Sequence, residues 1–312
     1  MADGQPTASL EVLTHRAQLL DQTREFFAAR NVLEVETPLL GRHTVTDPNI
    51  ESFEVMLSDE QYYLQTSPEY AMKRLLAAGA PDIYQICKSF RREERGAHHH
   101  PEFTLIEWYR KGFSLQEIMN ETAALITLLV PSIKQTQLVS YDQALQTVLN
   151  LSLAELDENK LSAIAAKQGL QGNQGLSIDR LLDFVFSQCV ATTFDKQSLT
   201  IIYHYPASQA ALAKITQDNP QTAERFEVFC GELELANGYV ELTDPEEQLN
   251  RFQKDQTIRK QRRLADIDID PGLLAAQQHG LPECAGVAVG LDRLIMLATQ
   301  SSHIKHVISF DS

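Results

Sequence analysis

The spacing of apolar residues at the start of the chain is that of a helix. Apolar side chains recur every three, four or seven residues at Leu10, Leu13, Ala17, Leu20 and Phe27. Ser9 precedes them and is a favourable N-cap residue. We therefore predict a first helix that ends near Asn31. Residues 32–40 predict a strand that stops at Pro38, because proline lacks the N–H donor that a central strand needs.

Short apolar runs along the rest of the chain predict further strands, with helices between them. Strands are predicted at Tyr62–Gln65, Ile83–Phe90, Phe103–Tyr109, Leu199–Tyr205, Glu227–Leu235 and from Cys284 onward. Helices are predicted at Pro68–Ala78, over most of 115–190, at about Asp244–Leu264 and up to Ala298. No repeat, low-complexity tract or flexible linker interrupts this pattern. It indicates a single α+β domain over residues 1–312, with a helical insertion at about 115–195.

Composition and charge exclude several classes of protein. The 312 residues are 43% hydrophobic and 22% charged, as in an ordinary globular protein. With 27 basic and 42 acidic residues, the formal net charge is -15, so broad attraction to a nucleic-acid backbone is not expected. The N-terminus is polar and acidic and no run of about 18 apolar residues occurs, which disfavours secretion and membrane spanning. The four cysteines are far apart and predict reduced thiols in a cytoplasmic protein.

The densest chemical signal lies in residues 90–104. If both flanks are strands, Arg91 shares a face with Glu93, and Phe103 shares a face with Glu107. A cation, an aromatic ring and carboxylates then meet on one surface, although a hydrated hairpin is the alternative. Three consecutive histidines, 98–100, lie between the flanks. We expect them to be donors that contact a phosphate rather than ligands of a metal ion, because neighbouring residues on a strand point to opposite faces.

Three glutamates, Glu227, Glu234 and Glu241, are spaced by seven residues. A two-residue loop at Cys230–Gly231 would place Glu227 directly opposite Glu234 in a hairpin. Like charges in that position are destabilising unless a divalent cation lies between them, and carboxylate oxygens with a phosphate suit magnesium. An exposed hairpin with hydrated carboxylates is the alternative.

A third signal is the run of small residues at 285–290, which leads into an apolar helix that begins with Leu291-Asp292-Arg293. Glycines in this run let a ligand approach the backbone, and an arginine at the helix start suits phosphate contact and stacking on a purine. Taken alone, the Gly-Leu-Asp-Arg sequence is a weak signal.

Taken together and in this order, these segments resemble the three signature motifs of class II aminoacyl-tRNA synthetases. The first is the helix and strand that end at Pro38, the second is Phe90–Glu93 with its loop and return strand, and the third is Gly290–Arg293. The lysyl branch of that class is the most similar, on the strength of Thr66–Glu69, Pro101–Thr104, Glu107 with Tyr109, and Glu234–Glu241. The resemblance implies an α+β fold with the class II core, an antiparallel sheet flanked by helices, and a homodimer.

The first predicted catalytic helix starts near residue 10, where a lysyl-tRNA synthetase has an anticodon-reading OB-fold domain. The chain therefore resembles the paralogues that are a catalytic domain alone and attach (R)-β-lysine to a lysine of elongation factor P. This resemblance implies ATP and Mg²⁺ as requirements and elongation factor P as partner, and the net charge of -15 makes tRNA an unexpected one. Two alternatives stay open: a minimal tRNA ligase that activates lysine, and a non-catalytic, amino-acid-sensing paralogue.

The resemblance also implies roles for individual residues. Arg91 and Arg293 are the expected catalytic residues: Arg91 holds the α-phosphate and the amino-acid carboxylate, and Arg293 encloses the adenine with Phe103. The resemblance assigns the other ATP contacts to Arg92, Glu93, His99, His100, Glu234, Leu235 and Gly290, and the binding of magnesium to Glu227 and Glu234. It assigns the binding of the amino acid to Ser67, Pro68, Glu69, Glu107, Tyr109, Asn237, Glu241 and Ala288. Within that set, Glu69 takes the amino group near the carboxylate, Asn237 helps with the carboxylate, and Glu107, Tyr109 and Glu241 bind the distant ammonium.

Two departures from the lysyl pattern qualify this assignment, and one basic cluster lies outside it. Lysyl-tRNA synthetases have glycine where this chain has Ala288, and the added methyl predicts a shift of preference from α- toward β-lysine. His98 stands where those enzymes place an arginine on the γ-phosphate, and Arg92 and Arg95 are the candidates to replace it. For the basic cluster at 259–263 we favour a hydrated helix face over a docking patch for the acceptor.

Overall fold

The computed structural model describes residues 4–172 and 175–311, so the domain predicted over residues 1–312 extends beyond the described residues at both ends and at 173–174. The largest sheet contains β1 (Leu33–Glu34), β5 (Ile83–Phe90), β6 (Glu102–Lys111), β7 (Gln135–Ser140), β8 (Ser198–Pro206), β9 (Thr222–Cys230), β10 (Leu233–Val240) and β11 (Cys284–Gly290). Across the sheet they run β1-β5-β6-β11-β10-β9-β8-β7. Neighbours are antiparallel except the two outermost pairs, β1 with β5 and β7 with β8. A second sheet has the order β2 (Leu40–Gly41), β4 (Glu60–Leu64), β3 (Glu54–Leu57).

Helices cover both faces of the large sheet. They are α1 (Leu10–Ala28), α2 (Glu69–Ala77), α3 (Leu115–Leu129), α4 (Tyr141–Leu149), α5 (Glu158–Lys167), α6 (Ile178–Val185), α7 (Pro245–Gln261), α8 (Pro271–Gly280) and α9 (Leu291–Ala298). Local sequence sets several helix starts: Ser9 caps α1, Ser114 forms a capping box with Glu117, and Asp244 caps α7 ahead of Pro245. The predicted α+β architecture, an antiparallel sheet flanked by helices, is confirmed.

The two faces of the central strands have different neighbours. On one face, α1, α3 and α9 pack against the sheet in the main apolar core, which includes Ile106 and Trp108 of β6. On the other face, Tyr109 packs with Met72 of α2. Because side chains alternate along a strand, Glu107 also points away from the main core. This alternation gives the second face its polar side chains.

The helices within the predicted insertion at 115–195 pack in two different apolar cores. One core comes from α4, α5 and α6, which pack against Ile202, Tyr205 and Phe229 of β8 and β9. By contrast, α3 buries its apolar face in the main core, and β7 extends the large sheet. Periodicity could not separate these helices, since an apolar helix face does not reveal which core it joins.

The strands also differ from the predicted ones in several places. Of residues 32–40, only Leu33–Glu34 pair with β5, and the chain leaves the sheet before Pro38. The strands β3 and β7 were not predicted, because their residues are mostly exposed and lack alternating apolar side chains. The remaining predicted strands are confirmed to within a few residues, except that 227–235 covers parts of two strands.

The hairpin of β9 and β10 has a different register from the predicted one. Its two-residue loop is 231–232, one position later than predicted, and a bulge follows Glu234. Glu227 consequently pairs with Asn237, so the prediction that it lies directly opposite Glu234 is wrong. Gly231 has a φ of 57°, a conformation that glycine adopts readily and that tight hairpin turns need.

The basic cluster at 259–263 is not simply a hydrated helix face. Arg259 is 2% exposed, and its guanidinium donates to the carbonyl oxygens of Ala265 at 2.9 Å and Asp47 at 3.0 Å. Arg262 donates to Oδ1 of Asn49 at 2.8 Å. These two arginines bind the end of α7 to the loop at 47–51, and the prediction of a hydrated face is wrong for the buried Arg259.

All four cysteines are free thiols. Within residues 4–172 and 175–311, no helix combines the length and apolarity that crossing a membrane requires.

The sheet packing predicts the cost of one small substitution. At Gly238 in β10, an added Cβ would lie 2.7 Å from the carbonyl oxygen of Gly286 and 2.7 Å from the ring of Phe226. We expect Gly238→Ala to lower the free energy of unfolding by about 1–3 kcal/mol through overpacking, measured by urea unfolding. The matched control is Gly290→Ala, whose Cβ would have no neighbour closer than 3.6 Å. Equal losses in the two variants would contradict this packing.

Candidate active site

A cavity of about 940 Å³ lies over the polar face of the central strands. The predicted site residues that line it are Ser67, Glu69, Arg91, His99, His100, Phe103, Glu107, Tyr109, Glu234, Leu235, Asn237, Glu241, Ala288, Gly290 and Arg293. Glu227 lines an adjoining cavity of about 350 Å³, whose wall also includes Glu234 and Arg293. Three predicted residues, Pro68, Arg92 and Glu93, line neither cavity. Pro68 caps α2, and the backbone N–H of Arg92 donates to the carbonyl oxygen of Glu51 at 2.8 Å as the chain turns away.

Three neighbouring strands place side chains on the cavity wall by simple alternation. Residues two apart in β6, Glu107 and Tyr109, both face the cavity, and Asn237 and Tyr239 do the same in β10. Ala288 of β11 lies between these strands, paired with Glu107 on one side and Asn237 on the other. The wall is therefore built on rigid sheet, which holds functional groups more precisely than a loop does.

Glu107 is buried with a hydrogen-bond donor on each carboxylate oxygen. Ser67 donates to one oxygen at 2.8 Å, and Tyr109 donates to the other at 2.7 Å. Burial, helped by the negative charge of Glu69, raises the pKa of Glu107 to about 7, while the two hydroxyl donors oppose that rise. Its charge can therefore change near neutral pH.

Next to Glu107 lies a buried ion triad. The ammonium of Lys73 is 2.6 Å from Oε1 of Glu69 and 2.5 Å from Oε2 of Glu241. Burial alone would lower the pKa of Lys73, but the two carboxylates raise it above its ordinary value, so Lys73 stays an ammonium. Tyr239 also donates to Oε1 of Glu69, at 2.9 Å. Oε1 of Glu241 has no hydrogen-bond partner among the described residues, which leaves one buried acceptor open to a ligand.

The cationic part of the cavity is less deeply buried. Arg293 donates to the carbonyl oxygen of Glu234 at 2.7 Å and to Nε2 of His99 at 2.8 Å. Burial and the charge of Arg293 lower the pKa of His99, so this ring is neutral and can accept that bond. Arg91 lies over the ring of Phe103, 5.2 Å from its centroid. The guanidinium groups of Arg91 and Arg293 thus face the same cavity as the buried carboxylates.

Arg293 sits beside a carboxylate that anchors its helix. One oxygen of Asp292 is 2.5 Å from the guanidinium of Arg16, and the other accepts the backbone N–H of Thr104 at 2.7 Å. Arg16 also donates to the hydroxyl of Thr104 at 2.7 Å. This network ties the starts of α9 and β6 to α1, and it fixes the backbone from which Arg293 projects.

His100 is buried and contacts protein groups. Its Nδ1 lies 2.7 Å from the carbonyl oxygen of Glu102, and its Nε2 lies 3.5 Å from Oδ1 of Asp311. The ring therefore links the loop at 91–100 to the C-terminal segment. A contact of His100 with ATP stays a prediction.

Glu227 and Glu234 lie near each other but have different partners. Both oxygens of Glu227 are hydrogen-bonded, to Arg225 at 2.7 Å and to Tyr205 at 2.7 Å. Burial and the nearby charge of Glu234 raise the pKa of Glu227 to about 7. Among the described residues, no three histidine, cysteine, aspartate or glutamate side chains form a metal-binding group. The two carboxylates nevertheless suit Mg²⁺, which takes one or two protein carboxylates together with phosphate and water oxygens.

Three residues of this site were not predicted from the sequence: Lys73, Tyr239 and Arg225. Each carries a simple positional signal. Lys73 follows Glu69 by four residues on one helix, a spacing that favours an ion pair. Tyr239 precedes Glu241 by two residues and Arg225 precedes Glu227 by two, so each pair lies on one side of the chain.

The fold agrees with comparisons to known proteins. The profile of the family described as "tRNA synthetases class II (D, K and N)" matches residues 4–312. The chain is 46% identical to the elongation factor P–(R)-β-lysine ligase of Pseudoalteromonas translucida, over 98% of this chain and 97% of that protein. The proteins of the same name from Vibrio vulnificus and Haemophilus ducreyi are 45% and 42% identical, over 99% and 98% of this chain and 98% and 95% of their own lengths. The chain therefore belongs to the class II tRNA synthetase family, in the group of elongation factor P–(R)-β-lysine ligases.

The buried carboxylates predict a pH dependence for ligand binding. Below about pH 7 Glu107 is protonated and cannot pair with an ammonium group; above that pH it is ionised. We expect the KM for lysine or β-lysine to fall as the pH rises from about 6 to 8, by up to about tenfold per unit at the acidic end. The groups that face Glu107 and shape this titration are Ser67, Glu69, Lys73, Tyr109 and Glu241, and burial raises the pKa of Glu241 itself to about 8.

The measurement is the KM for the amino acid across this pH range, with ATP saturating. Glu107→Gln, which cannot titrate at this position, is the control; it should raise the KM and reduce the pH dependence to the part that Glu241 contributes. An unchanged profile in that variant would assign the titration to another group.

Proposed function

We propose that this protein activates (R)-β-lysine with ATP to form an adenylate and transfers the β-lysyl group to a lysine side chain of elongation factor P. One observation carries the proposal: buried carboxylates and two arginines line the same cavity. The names of relatives with 42–46% identity over almost their whole length support the choice of amino acid and acceptor.

The carboxylates supply the recognition of a lysine-like chain. Glu107 and the open oxygen of Glu241 accept the distant ammonium, with Tyr109 holding Glu107 in place. Glu69, with Ser67 just before α2, receives the amino group near the carboxylate, and Asn237 helps to orient the carboxylate. A neutral or acidic side chain would leave these buried acceptors unpaired, which penalises its binding.

The arginines serve the reaction at phosphorus. The amino-acid carboxylate oxygen attacks the α-phosphorus of ATP, an O–P bond forms, and the bond to the β-phosphate oxygen breaks to release pyrophosphate. Arg91 and Arg293 stabilise the charge that builds up on the α-phosphate, and Phe103 and Arg293 enclose the adenine. His99, His100, Leu235 and Gly290 complete the proposed ATP site within the cavity. In this scheme catalysis comes from positioning and charge stabilisation, without a protein nucleophile.

The second step is an acyl transfer to an amine. The neutral amine of the acceptor lysine attacks the carbonyl carbon of the adenylate, an amide bond forms, AMP leaves and the amine loses its extra proton. Glu227 and Glu234 are the proposed ligands of Mg²⁺, which when bound neutralises charge on the phosphates.

Charge and surface features support the remaining parts of the proposal. A net charge of -15 favours a protein acceptor over tRNA. Leu33 and Leu39 are large apolar residues that are 50% and 40% exposed beside the first strands, which suits a homodimer contact at the first motif. Four free thiols fit the reducing cytoplasm, where we place the protein.

Pyrophosphate exchange with purified protein tests the proposal directly. We expect ATP- and Mg²⁺-dependent exchange with (R)-β-lysine exceeding that with α-lysine, followed by transfer of the label to elongation factor P. Arg91→Ala should lower the exchange rate at least about 100-fold, by analogy with the loss of one preorganised charge-stabilising donor. Arg42→Ala, which breaks an exposed pair with Glu60, should leave the rate unchanged. Transfer to tRNA would favour the minimal tRNA ligase, and absence of exchange would favour the non-catalytic paralogue.

The position of Ala288 predicts a change of isomer preference. Its Cβ lies on the cavity wall between the strands of Glu107 and Asn237. We expect Ala288→Gly to raise exchange with α-lysine relative to β-lysine by about tenfold, the scale of one buried methyl group. The ratio of kcat/KM for the two isomers measures it. An unchanged ratio would show that Ala288 does not discriminate between them.

A further inference from the structure

Lys73 lies directly behind the acidic wall of the cavity. It is fully buried on α2 and is not among the described residues that line the cavity, yet its ammonium contacts two residues that do, Glu69 and Glu241. Nothing in the proposed reaction requires this lysine to touch ATP, the amino acid or the acceptor. Any effect on the substrate must therefore pass through the cavity residues that Lys73 faces, and its two ion-paired carboxylates are the nearest of these.

The charges in this part of the cavity match those of a diamino acid. Glu69, Glu107 and Glu241 carry three negative charges when ionised, and Lys73 carries one positive charge, so the fully ionised set has a net charge of minus two. Burial raises the pKa of Glu107 to about 7 and that of Glu241 to about 8, so a bound cation favours this fully ionised state. A diamino acid offers two ammonium groups, and its carboxylate is assigned to Arg91 and Asn237. Pocket and substrate then neutralise each other, a requirement for charges removed from water.

The geometry of the triad adds a second role. Lys73 binds Oε2 of Glu241 and leaves Oε1 without a hydrogen-bond partner among the described residues. Because the carboxylate is fixed through one oxygen, its other oxygen is already in place for a ligand. Holding a binding group in its bound orientation lowers the conformational cost of binding.

We propose that Lys73 is a positioning residue that sets the amino-acid pocket at two net negative charges and holds Glu241 ready for the ammonium of a diamino acid. This inference rests on the proposed function. Without Lys73, three carboxylates would share one buried site, and the pocket would reduce its charge by keeping a proton on one of them. The substrate would then lose a charged partner.

The decisive variants are Lys73→Met, Glu241→Gln and the double variant. Methionine matches the length of lysine without its charge. We expect Lys73→Met to raise the KM for the amino acid by about tenfold, equivalent to about 1.4 kcal/mol, with little change in the KM for ATP. The double variant removes one positive and one negative charge, so the pocket keeps minus two from Glu69 and Glu107. Its amino-acid KM should therefore be no higher than that of Glu241→Gln alone, a strongly non-additive result.

Lys73→Arg is the conservative control, because it retains the positive charge. It should recover most of the amino-acid affinity that Lys73→Met loses. The experiment is pyrophosphate exchange, with KM and kcat determined separately for the amino acid and for ATP. A merely structural lysine would instead change both KM values together, and it would show no rescue by arginine.

Two results would overturn the inference: an unchanged amino-acid KM in Lys73→Met, or losses that multiply in the double variant. If Lys73→Met does not fold, the double variant still decides, since it leaves one carboxylate of the triad, Glu69, without the lysine rather than two. Absence of exchange in the unsubstituted protein would overturn the proposed function and this inference with it. Normal exchange with an unaffected Lys73→Met would overturn the inference alone.

Discussion

A lysine and three glutamates lie between α2 and the central sheet, largely removed from water. The side chains around them must therefore supply hydrogen bonds and opposite charges. Removing one partner of such a buried pair typically costs about 3–5 kcal/mol, because an uncompensated charge is left away from water. The surrounding residues meet this requirement closely: Ser67 and Tyr109 donate to Glu107, and Tyr239 donates to Glu69. The exception is Oε1 of Glu241, which has no hydrogen-bond partner among the described residues. Glu241 is one of the residues that line the cavity. A cationic ligand is the natural completion of this network.

The central sheet supports these buried charges because its two faces have different surroundings. In β6, Ile106 and Trp108 are buried in the main core, while the alternate residues Glu107 and Tyr109 face the cavity. The strand is thus held by apolar packing on one side and presents charged groups on the other. The bond network around Asp292 extends the same rigid frame to the helix that carries Arg293. Recognition of the amino acid and stabilisation of the phosphate charge are built on a single framework.

The parts of the structure that depend on local periodicity were predictable from the sequence. The strands at 83–90 and 284–290 and the helix after Pro68 lie where their apolar patterns place them. The register of the hairpin that carries Glu227 was not predictable, because the loop begins at a glycine with positive φ and a bulge follows it. The role of Lys73 was not predictable, because a Glu-Lys pair four residues apart is usually an exposed surface pair, and only tertiary packing buries this one. Similarly, the sequence around Arg259 is typical of a hydrated helix face, and only its contact with the loop at 47–51 buries it.

The central claim is that buried carboxylates bind the distant ammonium of the amino acid, and calorimetry can test it without catalysis. Lysine isomers and norleucine, which lacks the distant ammonium, would be titrated at pH 7 in buffers of different ionisation enthalpy. Pairing with an ammonium lowers the pKa of Glu107 from about 7, so binding of the diamino acids should release about half a proton from this group. Norleucine should bind far more weakly and release none. Equal affinities for lysine and norleucine, without proton release, would contradict the account.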